Sequence, residues 1–127
     1  MKIKKSYLLE VALSKSNTIS FPTDSFLDGK NIIAIEAFGA SQVTLSPLGK
    51  TVASNDILNQ GYIGFNIGGE RSIDNLPLST LVTSNNNGVV KEVENLKLQI
   101  VKSALFFPST EAITAGQVIL INFYYND

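Results

Sequence analysis

An all-β fold of two packed antiparallel sheets, built from eight or nine short strands, is what this sequence predicts, and three observations carry the prediction. Apolar residues recur at every second position in short segments, the period that places side chains on one face of a strand. Turn-forming residues separate those segments at intervals of roughly eight to twelve positions, the spacing of a sandwich or barrel. Two longer segments, 31–38 and 118–125, are rich in β-branched and aromatic residues, which pack well on a pleated surface.

In chain order, Tyr7, Leu9, Val11 and Leu13 alternate with Ser6, Leu8, Glu10 and Ala12 in a first strand. Thr23 to Gly29 can hold one helical turn, opened by a Thr or Asp cap and closed by glycine. Asn31 to Phe38 is apolar on both faces over most of its length, so it should be a central strand or one covered on its outer side. Ser46-Pro47-Leu48-Gly49 puts proline and glycine where a type I turn wants them, which predicts a hairpin between Gln42–Leu45 and Lys50–Ala53. Asp56 to Gly61 is a second candidate helical turn. Ile63, Phe65 and Ile67 then alternate with Tyr62, Gly64 and Asn66, and loop residues follow at Asn66 to Glu70 and Ser84 to Gly88. Leu96, Leu98 and Ile100 alternate with Lys97 and Gln99, and Val118 to Tyr125 is the second segment apolar on both faces.

The alternating faces predict a core of Leu9, Val11, Ile33, Ile35, Phe65, Ile67, Leu98, Ile100, Ile119 and Ile121. That choice leaves Val118, Leu120 and Tyr124 on the other side of the last strand, with Ile32, Ala34 and Phe38 repeating the problem on a second strand beside Glu36. Exposed apolar patches of more than about several hundred Å² are uncommon on soluble monomers. This surface is therefore expected to lie against a neighbouring subunit, or beneath the segment Asn75 to Asn95.

Composition removes most chemistry. The chain has 127 residues, so a short arm, residues 1–5, and one domain, residues 6–127, are expected. Charged residues make up only 17%, below the roughly 25% of soluble domains, which points to surface buried by a partner. The net charge of −1 offers no basic footprint for nucleic acid. Lys2, Lys4 and Lys5 leave a phosphate contact open for the arm, although a solvated terminus is favoured. The apolar stretch behind them is interrupted by Glu10, so no signal peptide is expected, and no run is long enough for a membrane-spanning helix.

Neither cysteine nor histidine is present, which excludes disulfides, serine–histidine and cysteine–histidine nucleophiles and the usual zinc sites. Carboxylate chemistry would need two acids about 5 to 10 Å apart across a cleft. Glu36, in an apolar strand, is the best candidate, and a rim or interface position is the favoured reading of it. Asp24 and Asp28 read as turn caps rather than calcium ligands. Gly64, Gly68 and Gly69 lack the spacing of a phosphate loop. Tyr124 and Tyr125 are weighed as a sugar platform against core or interface roles. No catalytic, cofactor or metal residue is assigned, and the protein is expected not to be an enzyme.

Ser20-Phe21-Pro22 ahead of Asn31–Phe38, the Pro-containing turn, Asn75-Leu-Pro-Leu-Ser-Thr-Leu81 and the terminal Gly116 to Tyr125 resemble, in their order, the small single jelly-roll virion proteins of bacteriophages. Examples are penton or vertex proteins of tailless icosahedral phages and auxiliary head proteins of crAss-like phages. The resemblance spans Ser6 to Tyr125. It implies an eight-stranded jelly roll that assembles in a capsid as a homo-oligomer, often a pentamer, bound to other capsid proteins, with no small-molecule substrate and no cofactor. The N-terminus is shorter and less basic than many capsid arms. The alternative reading is a carbohydrate- or cell-surface-binding β-sandwich module of a fibre or spike.

Overall fold

The computed structural model describes residues 5–22, 25–67, 70–83, 91–96 and 103–126. Among them, eight strands form two antiparallel four-stranded sheets. The first sheet holds β1 (Lys5–Ala12), β8 (Val118–Asn126), β3 (Asn31–Phe38) and β6 (Lys91–Leu96), in that spatial order. The second holds β2 (Thr18–Ser20), β7 (Ala104–Phe106), β4 (Tyr62–Ile67) and β5 (Glu70–Pro77). The pairings are nested: β1 pairs with β8, β2 with β7, β3 with β6 and β4 with β5. The expectation of a mostly β chain in two antiparallel sheets is met. Helical structure among the described residues is one α-helix, α1 (Asn55–Gln60), and a 3-10 turn at Leu78–Leu81.

The inner faces of both sheets meet in one core. Leu9 and Val11 from β1, Ile35 from β3, and Ile119, Ile121 and Phe123 from β8 pack with Ile19, Ile63, Phe65 and Leu105 from the second sheet. Phe65 makes edge-to-face contacts with Phe21 and Phe123, at centroid separations of 6.3 and 6.2 Å, a geometry that suits the ring quadrupoles. Six of the expected core positions, Leu9, Val11, Ile35, Phe65, Ile119 and Ile121, are buried. The side chain of Ile67, and Leu98 and Ile100, fall outside what the structure describes.

Ile33 is a correction. In β3, Ile32 pairs with Tyr125 and Ala34 with the adjacent Tyr124, so Ile33 is the extra residue of a β-bulge. A bulge shifts the alternation by one position. Ile32 is therefore fully buried in the core and Ile33 is partly exposed. Beyond the bulge Ile35 and Ala37 face inward, while Ala34, Glu36 and Phe38 share the outer face.

Part of that outer face is covered by residues 43–52 of the same chain. Residues 39–53 form a looped strap, in which the predicted hairpin of 42–45 with 50–53 is reduced to the antiparallel bridge Leu45 to Thr51, while Val52 bridges Val118 of β8 in parallel. The turn itself forms as expected, with the Gly49 N–H donating to the Ser46 carbonyl at 2.9 Å and Gly49 at φ 81°. The strap returns beside β8, where the Val118 N–H donates to the Thr51 carbonyl (3.0 Å) and the Ala53 N–H to the Val118 carbonyl (2.9 Å). Val52, Val118 and Leu120 form a second small buried cluster, against which Leu8, Phe38 and Val43 pack. The apolar outer side of β8 is thus shielded at Val118 and Leu120 by the chain itself.

α1 is capped by Ser54, whose Oγ accepts the Ile57 N–H at 3.4 Å, and not by Asp56. Gly61 follows it in ordinary extended backbone. It is glycine because a Cβ there would lie 2.6 Å from the Phe107 ring and 2.7 Å from Leu78. The segment 25–30 is a hydrogen-bonded turn without helix, ending at Gly29 with φ 79°. The expected caps Thr23 and Asp24 lie outside the described residues.

Candidate functional site

Three groups of side chains stand outside the core and could carry chemistry. The first is centred on Glu36, which is only 6% exposed although it faces outward. Register explains its partners: Asn122 is directly opposite on β8, and Tyr124 is one diagonal step away. The Asn122 Nδ2 donates to Glu36 Oε1 at 3.0 Å, and the Tyr124 hydroxyl donates to the same oxygen at 2.6 Å. The hydrogen bond to Glu36 raises the pKa of Tyr124 above its ordinary value of 10.0, with burial and the carboxylate's charge adding to it and the contact with Asn122 offsetting part. Two donors on one oxygen make this carboxylate the hub of a cross-strand polar network.

Glu10 lies on the same face, across β8, and holds down the strap. Its Oε2 accepts the Leu48 N–H at 3.3 Å, whereas its Oε1 is buried without a hydrogen-bond partner. Leu45 and Leu48 project from the strap at 59% and 78% exposure. The strap therefore hides one apolar surface and displays a smaller one.

The tyrosines considered as a sugar platform do other work. Tyr125 faces inward and is buried, in edge contact with Phe26 and beneath the Lys30 ammonium at 5.6 Å. Tyr124 commits its hydroxyl to Glu36. Lys2 and Lys4 fall outside the described residues. Asp28 closes the turn 25–28 through its N–H, which donates to the Ser25 carbonyl at 3.0 Å. Among the described residues no three His, Cys, Asp or Glu side chains gather as a metal site, and no helix is long and apolar enough to cross a membrane.

The third group was missed by the sequence reading and lies on the outer face of the second sheet. Ile63, Phe65 and Leu105 point inward, so Tyr62 and Phe106 point outward. Thr18 and Tyr62 are the two cross-strand partners of Phe106. At the end of this row the Asn17 Nδ2 donates to the carbonyls of Phe107 (2.7 Å) and Pro108 (3.2 Å), tying the β7 exit to the β2 entrance. The result is an open depression of about 390 Å³ lined by Asn17, Thr18, Tyr62, Phe106, Phe107 and Pro108. The signal in sequence was Tyr62 standing in the polar register of its strand; Phe106 had none, because β7 is only three residues long.

No family model, curated protein or solved structure matches the chain.

Proposed function

We propose that the domain is a single jelly roll that serves as a structural subunit of a bacteriophage capsid, at a penton or vertex position or as an auxiliary head protein. The observation that carries the reading is the nested pairing β1–β8, β2–β7, β3–β6 and β4–β5. A long antiparallel hairpin folded over on itself pairs its strands in this way, and the sheet orders 1-8-3-6 and 2-7-4-5 support the jelly-roll reading. Jelly rolls serve as capsid and lectin domains, so topology supports the class of protein and the resemblance supports the capsid within it. The domain works without catalysis. Assembly into a cyclic homo-oligomer is part of the proposal, and the strap gives it a physical basis: Leu45 and Leu48 are apolar, exposed and carried on a turn pinned by Glu10.

Light scattering on the purified protein, together with mass spectrometry of purified virus particles, tests this reading. The expected results are a species several times the 13.7 kDa of one chain and peptides of the chain in the particles. A monomer at every concentration together with absence from particles overturns it. The second reading, a glycan- or cell-surface-binding module, is favoured by one observation, the aromatic depression on the second sheet.

A further inference from the structure

Tyr62 is 37% exposed although it sits in a sheet, and Phe106 beside it is only partly covered. Pro77 is the partner of Tyr62 on the other side, so the row runs Thr18, Phe106, Tyr62, Pro77 across four strands. An aromatic shelf kept in contact with water sacrifices the burial that aromatic side chains ordinarily contribute. Its rim is polar and unspent: among the described residues the Tyr62 hydroxyl, the Thr18 hydroxyl and the Asn17 Oδ1 make no hydrogen bond, while the Asn17 amide nitrogen is fixed by two carbonyls. No charged side chain lines the depression.

We infer that this depression is a saccharide site, in which Tyr62 and Phe106 take the apolar face of a neutral pyranose ring while Tyr62, Thr18 and Asn17 bond its hydroxyls. The fit is chemical on three counts. A pyranose has a C–H face that gains by leaving water against an aromatic ring, and hydroxyls at its rim that both donate and accept. The tyrosine and threonine hydroxyls donate and accept in turn, and the asparagine oxygen, held outward by its own amide nitrogen, accepts. A charged ligand would lose hydration here with no counter-charge to receive it. The volume of about 390 Å³ falls within the roughly 300 to 1,000 Å³ of small-molecule sites. A proline-rich segment also suits aromatic shelves, but its few polar groups would leave these three rim groups unmatched. The site is independent of the capsid reading, because it lies on the second sheet, away from the strap.

Saturation-transfer NMR and calorimetry with the methyl glycosides of glucose, galactose, mannose and N-acetylglucosamine test the inference. One ring against an open shelf is expected to bind with Kd of about 1 mM, the range that ligand efficiency allows so small a molecule. Tyr62→Ala should weaken the preferred glycoside at least about tenfold, and Thr18→Val should weaken it without touching the shelf. Both positions are exposed, and an unchanged melting temperature verifies the fold. No transfer to any of the four at about 10 mM, an affinity unaltered in both variants, or binding of a proline-rich peptide alone overturns the inference. None of these outcomes alters whether the chain is found in particles, so the two readings fail separately.

Discussion

Replacing Ile32 and Ile33 by alanine, one at a time, tests the bulge in β3 with two substitutions of identical chemistry. Each removes three carbon groups. Ile32 is fully buried in the core, so its truncation forfeits about 2.4 kcal/mol of transfer energy at about 0.8 per group. An incompletely collapsed cavity adds on the order of 1 to 2 kcal/mol, giving a loss of about 4. Ile33 is the extra residue of the bulge and partly exposed. Its truncation forfeits a fraction of the same transfer energy and leaves no sealed void, a loss of about 1 kcal/mol. The difference of about 3 kcal/mol corresponds to a melting temperature roughly 10 °C lower for Ile32→Ala than for Ile33→Ala in a domain of this size. Urea unfolding followed by circular dichroism reads the midpoints directly. Equal losses within about 0.5 kcal/mol, or a larger loss at Ile33, would refute the register described here.

Tyr124→Phe should cost about 1 to 2 kcal/mol, because it strips the buried Glu36 carboxylate of a short donor. It should also change the alkaline limb of the stability curve. The folded pKa of Tyr124 is raised, so its contribution is complete below about pH 10 and is lost as pH climbs from there through the folded value. Unfolding midpoints between pH 8 and 11 should therefore fall more steeply for the wild type than for the variant. Gly61→Ala should destabilise by about 1 to 2 kcal/mol, since crowding Phe107 and Leu78 outweighs the smaller gain from a stiffer unfolded chain. Combined with Leu78→Ala it should cost less than the two changes summed. Gly39→Ala pushes a methyl against Asn55, whose Oδ1 accepts the Ser41 N–H at 2.9 Å. The expected result is faster amide exchange at Val52, Ala53 and Val118, with exchange in β4 unchanged.

Alternation alone was enough to place the faces of β1, β4 and β8, because in each the core-facing residues recur at every second position. In β8 it also gave both sets correctly, leaving open only what covers Val118 and Leu120. The answer was illegible for a physical reason: Val43 and Val52 look like hairpin residues, and only the docking of residues 51–53 beside Val118 turns them into a lid. At β3 two adjacent isoleucines made the phase ambiguous, and a bulge has no sequence mark when neither residue is glycine. Glu36 could be singled out as an acid among apolar neighbours, but its partners depend on the register of strands far apart in the chain. The aromatic depression needed the alignment of β2, β7 and β4, three strands whose pairing no local pattern announces.

The nested pairing also dictates when the protein can fold. β8 lies between β1 and β3, so the first sheet has no continuous ladder until the last strand is in place. On the ribosome β1 and β3 are made early and wait with unpaired edges, the kind of exposed template that recruits other chains. β4 and β5 adjoin in sequence and can close first, after which β3–β6, β2–β7 and β1–β8 each close a loop already shortened by the pair inside it. Non-local pairing of this kind folds slowly. A newly made chain thus passes through an interval in which its edges are open and its neighbours on the same message are at the same stage. Lys5 at the start of β1, an outermost strand of the finished sheet, puts charge where premature edge-to-edge pairing would begin.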